Sequence, residues 1–334
     1  MSGQEAPPVH GGRLGELRRL FPRAPAPFLD LSTGINPYPY PVPRLAEDHL
    51  TRLPEPEALS ALEAAAARAY GLADRGLVVA CAGSQALIGL LPLLRPRSRV
   101  AVLAPTYAEH GFAWRAAGHH VREVATLADA AAAEVVVLCN PNNPDGRMIA
   151  AAELRAFAAP LAARGGWLVA DEAFADFAPD GVSLAPLFPA RGVIVLRSFG
   201  KASGLAGLRL GFALAPANLA PRLRAALGPW PVSGAAIAIG TLALEDAAWR
   251  AAMAARLAGD ASRLDAALAA AGLTPRGGTS LFRLAESADA ASVFDHLGAA
   301  GILVRRFAAQ PRWLRFGLPG AAFDRLVAAL ALKP

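Results

Sequence analysis

Lysine occurs at only two positions of this 334-residue chain, Lys201 and Lys333, while the other thirty-one basic residues are arginine. A guanidinium stays protonated and cannot form a Schiff base, so a lysine kept in the interior is a candidate for amine chemistry. Lys201 closes the motif Ser198-Phe199-Gly200-Lys201, and Gly207-Leu208-Arg209-Leu210-Gly211 follows it. Two other polar motifs come earlier: Asn140-Pro141-Asn142-Asn143-Pro144-Asp145-Gly146, then Asp171-Glu172-Ala173-Phe174. Each of the three follows a short apolar run, at 135–138, 167–170 and 193–196. Singly they are ordinary, since Asn-Pro and Asp-Gly make turns and an Asp ending a strand often caps a helix. Turn chemistry does not account for their joint order, an amide group, then a carboxylate, then an amine.

The elements that must carry these motifs are legible from texture. Apolar runs at 77–80, 100–103, 135–138, 167–170, 193–196 and 211–214 read as buried strands, and helical segments such as 86–94 and 151–163 separate several of them. That alternation predicts an α/β architecture, a mainly parallel sheet with helices on both faces. In such sheets chemistry gathers in loops beyond the carboxyl ends of the strands. The segment 10–43, rich in Gly and Pro, reads as an arm with little regular structure beyond a short helix at 14–20. A helical pattern starts near Glu57. After Pro221 long Ala/Leu/Arg helices, notably 247–271, precede strands at 281–284, 302–304 and 313–316 and a final helix from Ala321. We therefore expect an arm (1–45) contributing to the small domain and substrate site, a large domain (46–220) and a small α+β domain (221–334).

Composition excludes several classes. With 54% hydrophobic and 18% charged residues the chain can bury a large core. The net charge is +6, but the basic residues are scattered without a Lys/Arg block, which argues against nucleic acid as a partner. The first ten residues lack a basic n-region and an apolar h-region, which argues against secretion. The uncharged part of 225–244 contains Gly228, Pro229, Pro231, Gly234 and Gly240, so we expect no membrane span. Two cysteines, Cys81 and Cys139, form no metal or redox spacing and fit a cytoplasmic protein without a metal.

On the three loop motifs the chain resembles the fold-type I pyridoxal-phosphate enzymes, the aspartate aminotransferase superfamily, across essentially its whole length. The resemblance implies a large domain with a mainly parallel seven-stranded sheet flanked by helices, plus a smaller α+β domain. It also implies pyridoxal 5'-phosphate as cofactor and a homodimer. Lys201 would hold the cofactor's aldehyde covalently, Asp171 would pair with its ring nitrogen, and Asn143 would hydrogen-bond its phenolic oxygen. Ser198, Arg209, Ser84 and the backbone around Gly83 in Ala82-Gly83-Ser84-Gln85 would hold its phosphate, with Gln85 in the same turn. Tyr107, in Ala104-Pro105-Thr106-Tyr107, would stack on the ring. These residue types suit the roles: a carboxylate facing the nitrogen keeps it protonated, and a Gly-Ser turn leading into a helix cradles an anion. Arg209 adds charge-assisted bonds and helps Lys201 lose its proton.

His10-Gly11-Gly12, then Asp30-Leu31-Ser32-Thr33-Gly34-Ile35-Asn36-Pro37, is similar to the start of the threonine-phosphate decarboxylase family of cobalamin biosynthesis. So are Asp171-Glu172-Ala173-Phe174-Ala175-Asp176-Phe177 and Gly228-Pro229-Trp230-Pro231-Val232. The resemblance implies decarboxylation of L-threonine O-3-phosphate to (R)-1-amino-2-propanol O-2-phosphate. His10 and Asn36, with Arg13 close by, would bind the substrate phosphate, and Arg315 its α-carboxylate. Arg305, Arg306 and Arg312 are neighbours that compete for the carboxylate role. Histidinol-phosphate aminotransferase is the alternative; it commonly has Tyr where this chain has Phe174. Two motifs depart from the pattern. Arg52-Leu53-Pro54 stands where Arg-Tyr-Pro is usual, which removes a hydroxyl that reaches the partner subunit's cofactor phosphate. Asn143-Pro144-Asp145-Gly146 replaces Asn-Pro-Thr-Gly, and an Asp caps the turn as Thr does.

Overall fold

The computed structural model describes residues 8–331. Residues 1–7 and 332–334, with most of the N-terminal segment read for secretion and with Lys333, lie outside them. The strands are, in chain order, β1 (Leu29–Leu31), β2 (Val78–Cys81), β3 (Arg99–Leu103), β4 (His120–Val124), β5 (Val135–Cys139), β6 (Trp167–Asp171), β7 (Val193–Ser198), β8 (Gly211–Leu214), β9 (Thr274–Thr279), β10 (Phe282–Glu286), β11 (Ile302–Phe307) and β12 (Gln310–Gly317). The chain forms two compact units. Of the described residues, the first includes Tyr40–Asn143 and Met148–Arg250; the second includes Val9–Pro39, Pro144–Arg147 and residues 251–331.

In the first unit seven strands form a sheet in the order β2-β8-β7-β6-β5-β3-β4, with β8 antiparallel to its neighbours and the rest running one way. The strands read as continuous apolar runs because both faces are covered. Alternate side chains go to opposite layers. Ala80, Leu138, Ala170, Val195 and Phe212 pack with Leu62, Ala66 and Tyr70 of the helix Pro56–Tyr70. Val79, Val137, Val169, Ile194 and Leu196 pack with Leu87, Trp114 and Leu223 on the other side. Trp114 and Phe212 are fully buried, and each stabilises the fold by roughly 3 kcal/mol. The sequence pattern does not reveal β4, whose His-Val-Arg-Glu-Val is mostly exposed because it is an edge strand.

The change of texture at residue 221 does not coincide with the division between the units. The helices Ala220–Leu227 and Gly234–Glu245 belong to the first unit, because Leu223 packs under the sheet and Ala236, Ile237, Ala243 and Leu244 join the core of the helix Pro56–Tyr70. The uncharged stretch 225–244 is therefore broken at 228–233, and among the described residues no helix is long and apolar enough to cross a membrane.

The second unit is built on a five-stranded sheet, β1-β11-β12-β10-β9. The arm is more ordered than its composition suggests, since β1 pairs in parallel with β11 through Leu29↔Ile302 and Leu31↔Val304. Its short helix is present at Leu14–Leu20. The edge strand β9, Thr-Pro-Arg-Gly-Gly-Thr, carries no strand signal, and its Gly278 has φ +144° where a Cβ would sit 2.2 Å from the Phe282 carbonyl oxygen. The long helix Ala247–Ala270 begins in the first unit and continues into the second.

Candidate active site

The three chemistry-bearing motifs of the first unit follow three adjacent strands. The Cα register pairs Cys139 of β5 with Asp171 of β6, and Asp171 with Leu196 of β7. Asp171 is the last residue of its strand and Ser198 the last of β7, one helical turn before Lys201 in the short helix Phe199–Ala202. Parallel register therefore sets carboxylate and amine at one end of the sheet.

Asp171 is buried and both its oxygens are engaged: Oδ2 lies 2.9 Å from His110 Nε2, and Oδ1 accepts the Ala173 N–H at 3.0 Å. Burial pulls the His110 pKa down, but the Cys139 sulfur and the Asp171 carboxylate outweigh it and raise it to about 10. The imidazole is therefore a cation at neutral pH, and its Nε2–H donates to Asp171. The three ligand-type atoms of His110, Cys139 and Asp171 lie within 4.8 Å of one another. Sequence reasoning missed both His110 and Cys139. A signal existed for the histidine, three residues beyond Tyr107 at the start of the helix Glu109–Ala116, where the two rings meet edge to face at 5.9 Å.

Lys201 is half-buried, with Nζ 5.4 Å from the ring centre of buried Phe174. The Asn140–Gly146 loop commits two of its amides to its own shape. Asn140 donates to the carbonyls of Ile149 and Val182 and accepts from the Ile149 N–H. Asn142 donates to the Pro105 carbonyl and accepts from the Thr106 hydroxyl. Asn143, the amide assigned to the cofactor, is half-buried. Asp145 accepts the Arg147 N–H at 3.0 Å, the cap expected from the Thr-to-Asp change.

Opposite these loops, on the far side of β8, Gly83 and Ser84 follow β2. Gly83 has φ +83°, and a Cβ there would meet Arg209 Nη2 at 2.6 Å, so its lack of a side chain makes room for the guanidinium. A Cβ on Gly211 would lie 2.4 Å from the Ser84 nitrogen, so that glycine lets the turn approach β8. Arg209 is the one non-glycine residue with a positive φ (53°) among the described residues, a strained backbone of the sort that concentrates at functional sites. Gln85 is the second residue of the helix Ser84–Leu90, directly after Ser84. Its side chain is exposed, accepts the Tyr107 hydroxyl at 3.1 Å and donates to Glu109 at 3.1 Å, so it orients the Tyr107 ring. Burial raises the Tyr107 phenol pKa, which keeps that hydroxyl a donor.

The second unit gathers the other candidates. Arg315 of β12 is buried, donates through Nη2 to the Ser32 carbonyl at 2.8 Å and lies 5.0 Å from the Phe282 ring centre. Its competitors are placed differently: Arg306 is exposed, Arg312 pairs with Glu286 at the surface, and Arg305 donates to the Val9 carbonyl. The Ser32 hydroxyl accepts the Gly12 N–H at 2.7 Å and donates to Asp30 at 2.6 Å, so the His10-Gly11-Gly12 segment and Arg315 are anchored on one residue. His10 is half-buried and Arg13 exposed. Asn36 is buried, and its Oδ1 accepts the Tyr38 N–H at 2.9 Å.

The family model of the class I and II aminotransferases matches residues 27–330. The chain belongs to that family. Within it, a threonine-phosphate decarboxylase of Pseudomonas aeruginosa is 47% identical over 326 residues, 96% of each chain. A threonine-phosphate decarboxylase of Sinorhizobium sp is 44% identical over 328 residues, 97% of each. Among solved structures, histidinol-phosphate aminotransferase from Sinorhizobium meliloti in complex with pyridoxal-5'-phosphate is similar with a TM-score of 0.80 at 25% identity, covering 99% of this chain and 96% of that one. The seven-stranded sheet agrees with membership of that family.

Proposed function

We propose that the protein is a pyridoxal-phosphate-dependent decarboxylase that converts L-threonine O-3-phosphate to (R)-1-amino-2-propanol O-2-phosphate and CO2, a step of cobalamin biosynthesis. The observation that carries the reading is the near-full-length likeness to proteins named for that activity.

The residues present fit the cofactor. The glycine at position 83 lets the Arg209 guanidinium pack against the Gly83-Ser84 turn, which sets a cation beside the backbone at the start of a helix, and Asp171 is a buried carboxylate held by His110. When bound, pyridoxal phosphate supplies an electron sink for the pair released as a bond at the substrate Cα breaks. The chain supplies the rest. Asp171 would face the ring nitrogen and favour its protonated form, and His110 holds that carboxylate in place. Tyr107, oriented by Gln85, would stack on the ring, Asn143 would donate to the phenolic oxygen, and Ser84, Ser198 and Arg209 would hold the phosphate. Arg315 would take the substrate carboxylate and so orient the substrate for loss of that group. His10 and Asn36 take the distal phosphate, so binding energy far from the reacting carbon is used for orientation. Lys201 would hold the cofactor's aldehyde through Nζ, and the same amine would be the group able to move a proton at the substrate Cα.

The test is to incubate the protein with L-threonine O-3-phosphate, and separately with histidinol phosphate plus 2-oxoglutarate, measuring CO2 and glutamate. CO2 release from the first is expected; glutamate from the second without CO2 from the first assigns the aminotransferase instead. Borohydride reduction followed by peptide mapping is expected to label Lys201.

A cytoplasmic homodimer completes the reading. The exposed apolar side chains Leu50, Leu53 and Trp230 suit an interface between copies, and Leu53 stands there in place of a hydroxyl-bearing Tyr.

A further inference from the structure

Directly behind the carboxylate of Asp171, on the opposite face of the sheet, lies a buried ion cluster that the chemistry above does not use. Arg197 of β7 donates through Nη1 to Glu172 Oε2 at 2.9 Å and through Nη2 to Asp176 Oδ1 at 3.0 Å. Its guanidinium lies 4.3 Å from the Tyr70 ring centre. Glu172, fully buried, also accepts the Leu184 N–H at 2.7 Å and the Ser183 hydroxyl at 2.6 Å. The Glu172 N–H donates to the Leu196 carbonyl at 2.8 Å and extends the ladder one step beyond the paired Asp171 and Leu196.

Side chains alternate across a strand, so Glu172 and Arg197 stand back to back with Asp171 and Ser198. The packing agrees, since Val195, on the Arg197 side, joins the Tyr70 layer, whereas Leu196 joins the other. Glu172 and Arg197 are thus the chain neighbours of Asp171 and Ser198, two residues assigned to the cofactor. The guanidinium is a rigid planar fork, and here its two ends hold the loop after β6 to the end of β7. Burying these charges is costly unless every partner is present. A buried cluster retained at this place is therefore suited to holding geometry rather than to adding stability.

We propose that Arg197 is a positioning residue: by bridging Glu172 and Asp176 behind the sheet it sets the separation between Asp171 and the Ser198-Lys201 segment, and so the way the cofactor ring is held between carboxylate and amine. The proposal rests on the assignment of Asp171 and Lys201 made above. Burial pushes the Glu172 carboxyl above its ordinary range and Arg197 pulls it back.

The experiment compares the parent with Arg197→Lys, Glu172→Gln and Ser183→Ala as purified proteins reconstituted with pyridoxal phosphate. Three quantities are read: the midpoint of the pH titration of the bound cofactor's visible absorbance, the equilibrium affinity of the apo form for pyridoxal phosphate, and the melting temperature. Lysine keeps the charge and loses the fork. We expect Arg197→Lys to move the titration midpoint by about one pH unit and to weaken cofactor affinity about tenfold. Glu172→Gln is expected to move both in the same sense, and Ser183→Ala, which removes one hydrogen bond, to do so less. Lowered melting temperatures with midpoint and affinity unchanged overturn the proposal. Should Arg197→Lys fail to fold, the midpoints and affinities of Glu172→Gln and Ser183→Ala decide in its place. Lys201→Ala, run alongside, is expected to lose the titrating absorbance; its retention overturns the lysine assignment, an outcome distinct from an unmoved midpoint in the Arg197 variant.

Discussion

Nε2 of His110 lies 2.9 Å from Oδ2 of Asp171, and neither side chain reaches solvent. The histidine comes from the start of a helix and the aspartate from the end of β6, sixty-one residues later.

This pair makes stability depend on pH. The His110 pKa rises from 6.5 to about 10 on folding, so its contribution is fully present below pH 6.5, declines as pH rises, and is lost above about 10. Denaturant melts of the apo-protein between these limits are expected to show falling stability, and His110→Asn to flatten that part of the curve. The same variant is expected to lower turnover by about tenfold or more, since Asp171 loses a charged partner.

Gly83→Ala tests the phosphate cradle. The left-handed backbone disfavours any L side chain, and the new Cβ displaces the Arg209 guanidinium. Expected are a loss of about 1–2 kcal/mol in stability by chemical denaturation and about a tenfold weaker affinity for pyridoxal phosphate by fluorescence titration.

Arg315 and Arg312 have opposite expectations although they are three residues apart. Arg315→Lys replaces a buried planar fork anchored on Ser32 by a point charge, and kcat/KM for threonine phosphate is expected to fall about a hundredfold. Arg312→Ala removes a surface pair with Glu286, and kcat/KM is expected to stay within about threefold of the parent. Steady-state CO2 release measures both.

Gln85→Ala separates an orienting role from a phosphate role. With the Tyr107 hydroxyl unanchored, cofactor affinity is expected to weaken about threefold to tenfold, and Tyr107→Phe to give a similar loss. If Gln85 acts only through that hydroxyl, the double variant is no weaker than either single one. Additive losses in the titration contradict the orienting role.

Several features are legible in the chain itself. The strands at 135–138, 167–170 and 193–196 appear in β5, β6 and β7 with only their ends extended, because a strand buried on both faces is an uninterrupted apolar run. The polar motifs that end those runs stand out for the same reason, and so does the lone interior lysine. Edge elements left weaker traces: β4 is mostly exposed, and β9 contains Pro and two glycines. The arm reads as a loop because β1 is three residues long and is ordered by pairing with β11, more than 270 residues away.

By itself the sequence determined which residue types were present to do chemistry and which strands they followed, since those depend on local hydrophobic pattern and on amino-acid identity. Only the tertiary structure decided what surrounds them. That His110 and Cys139 stand beside Asp171, that Gln85 serves Tyr107, that Ser32 ties the arm to Arg315, and that Arg197 braces the back of the sheet all follow from strand order and register. Those are set by packing among residues far apart in the chain, and no local spacing records them.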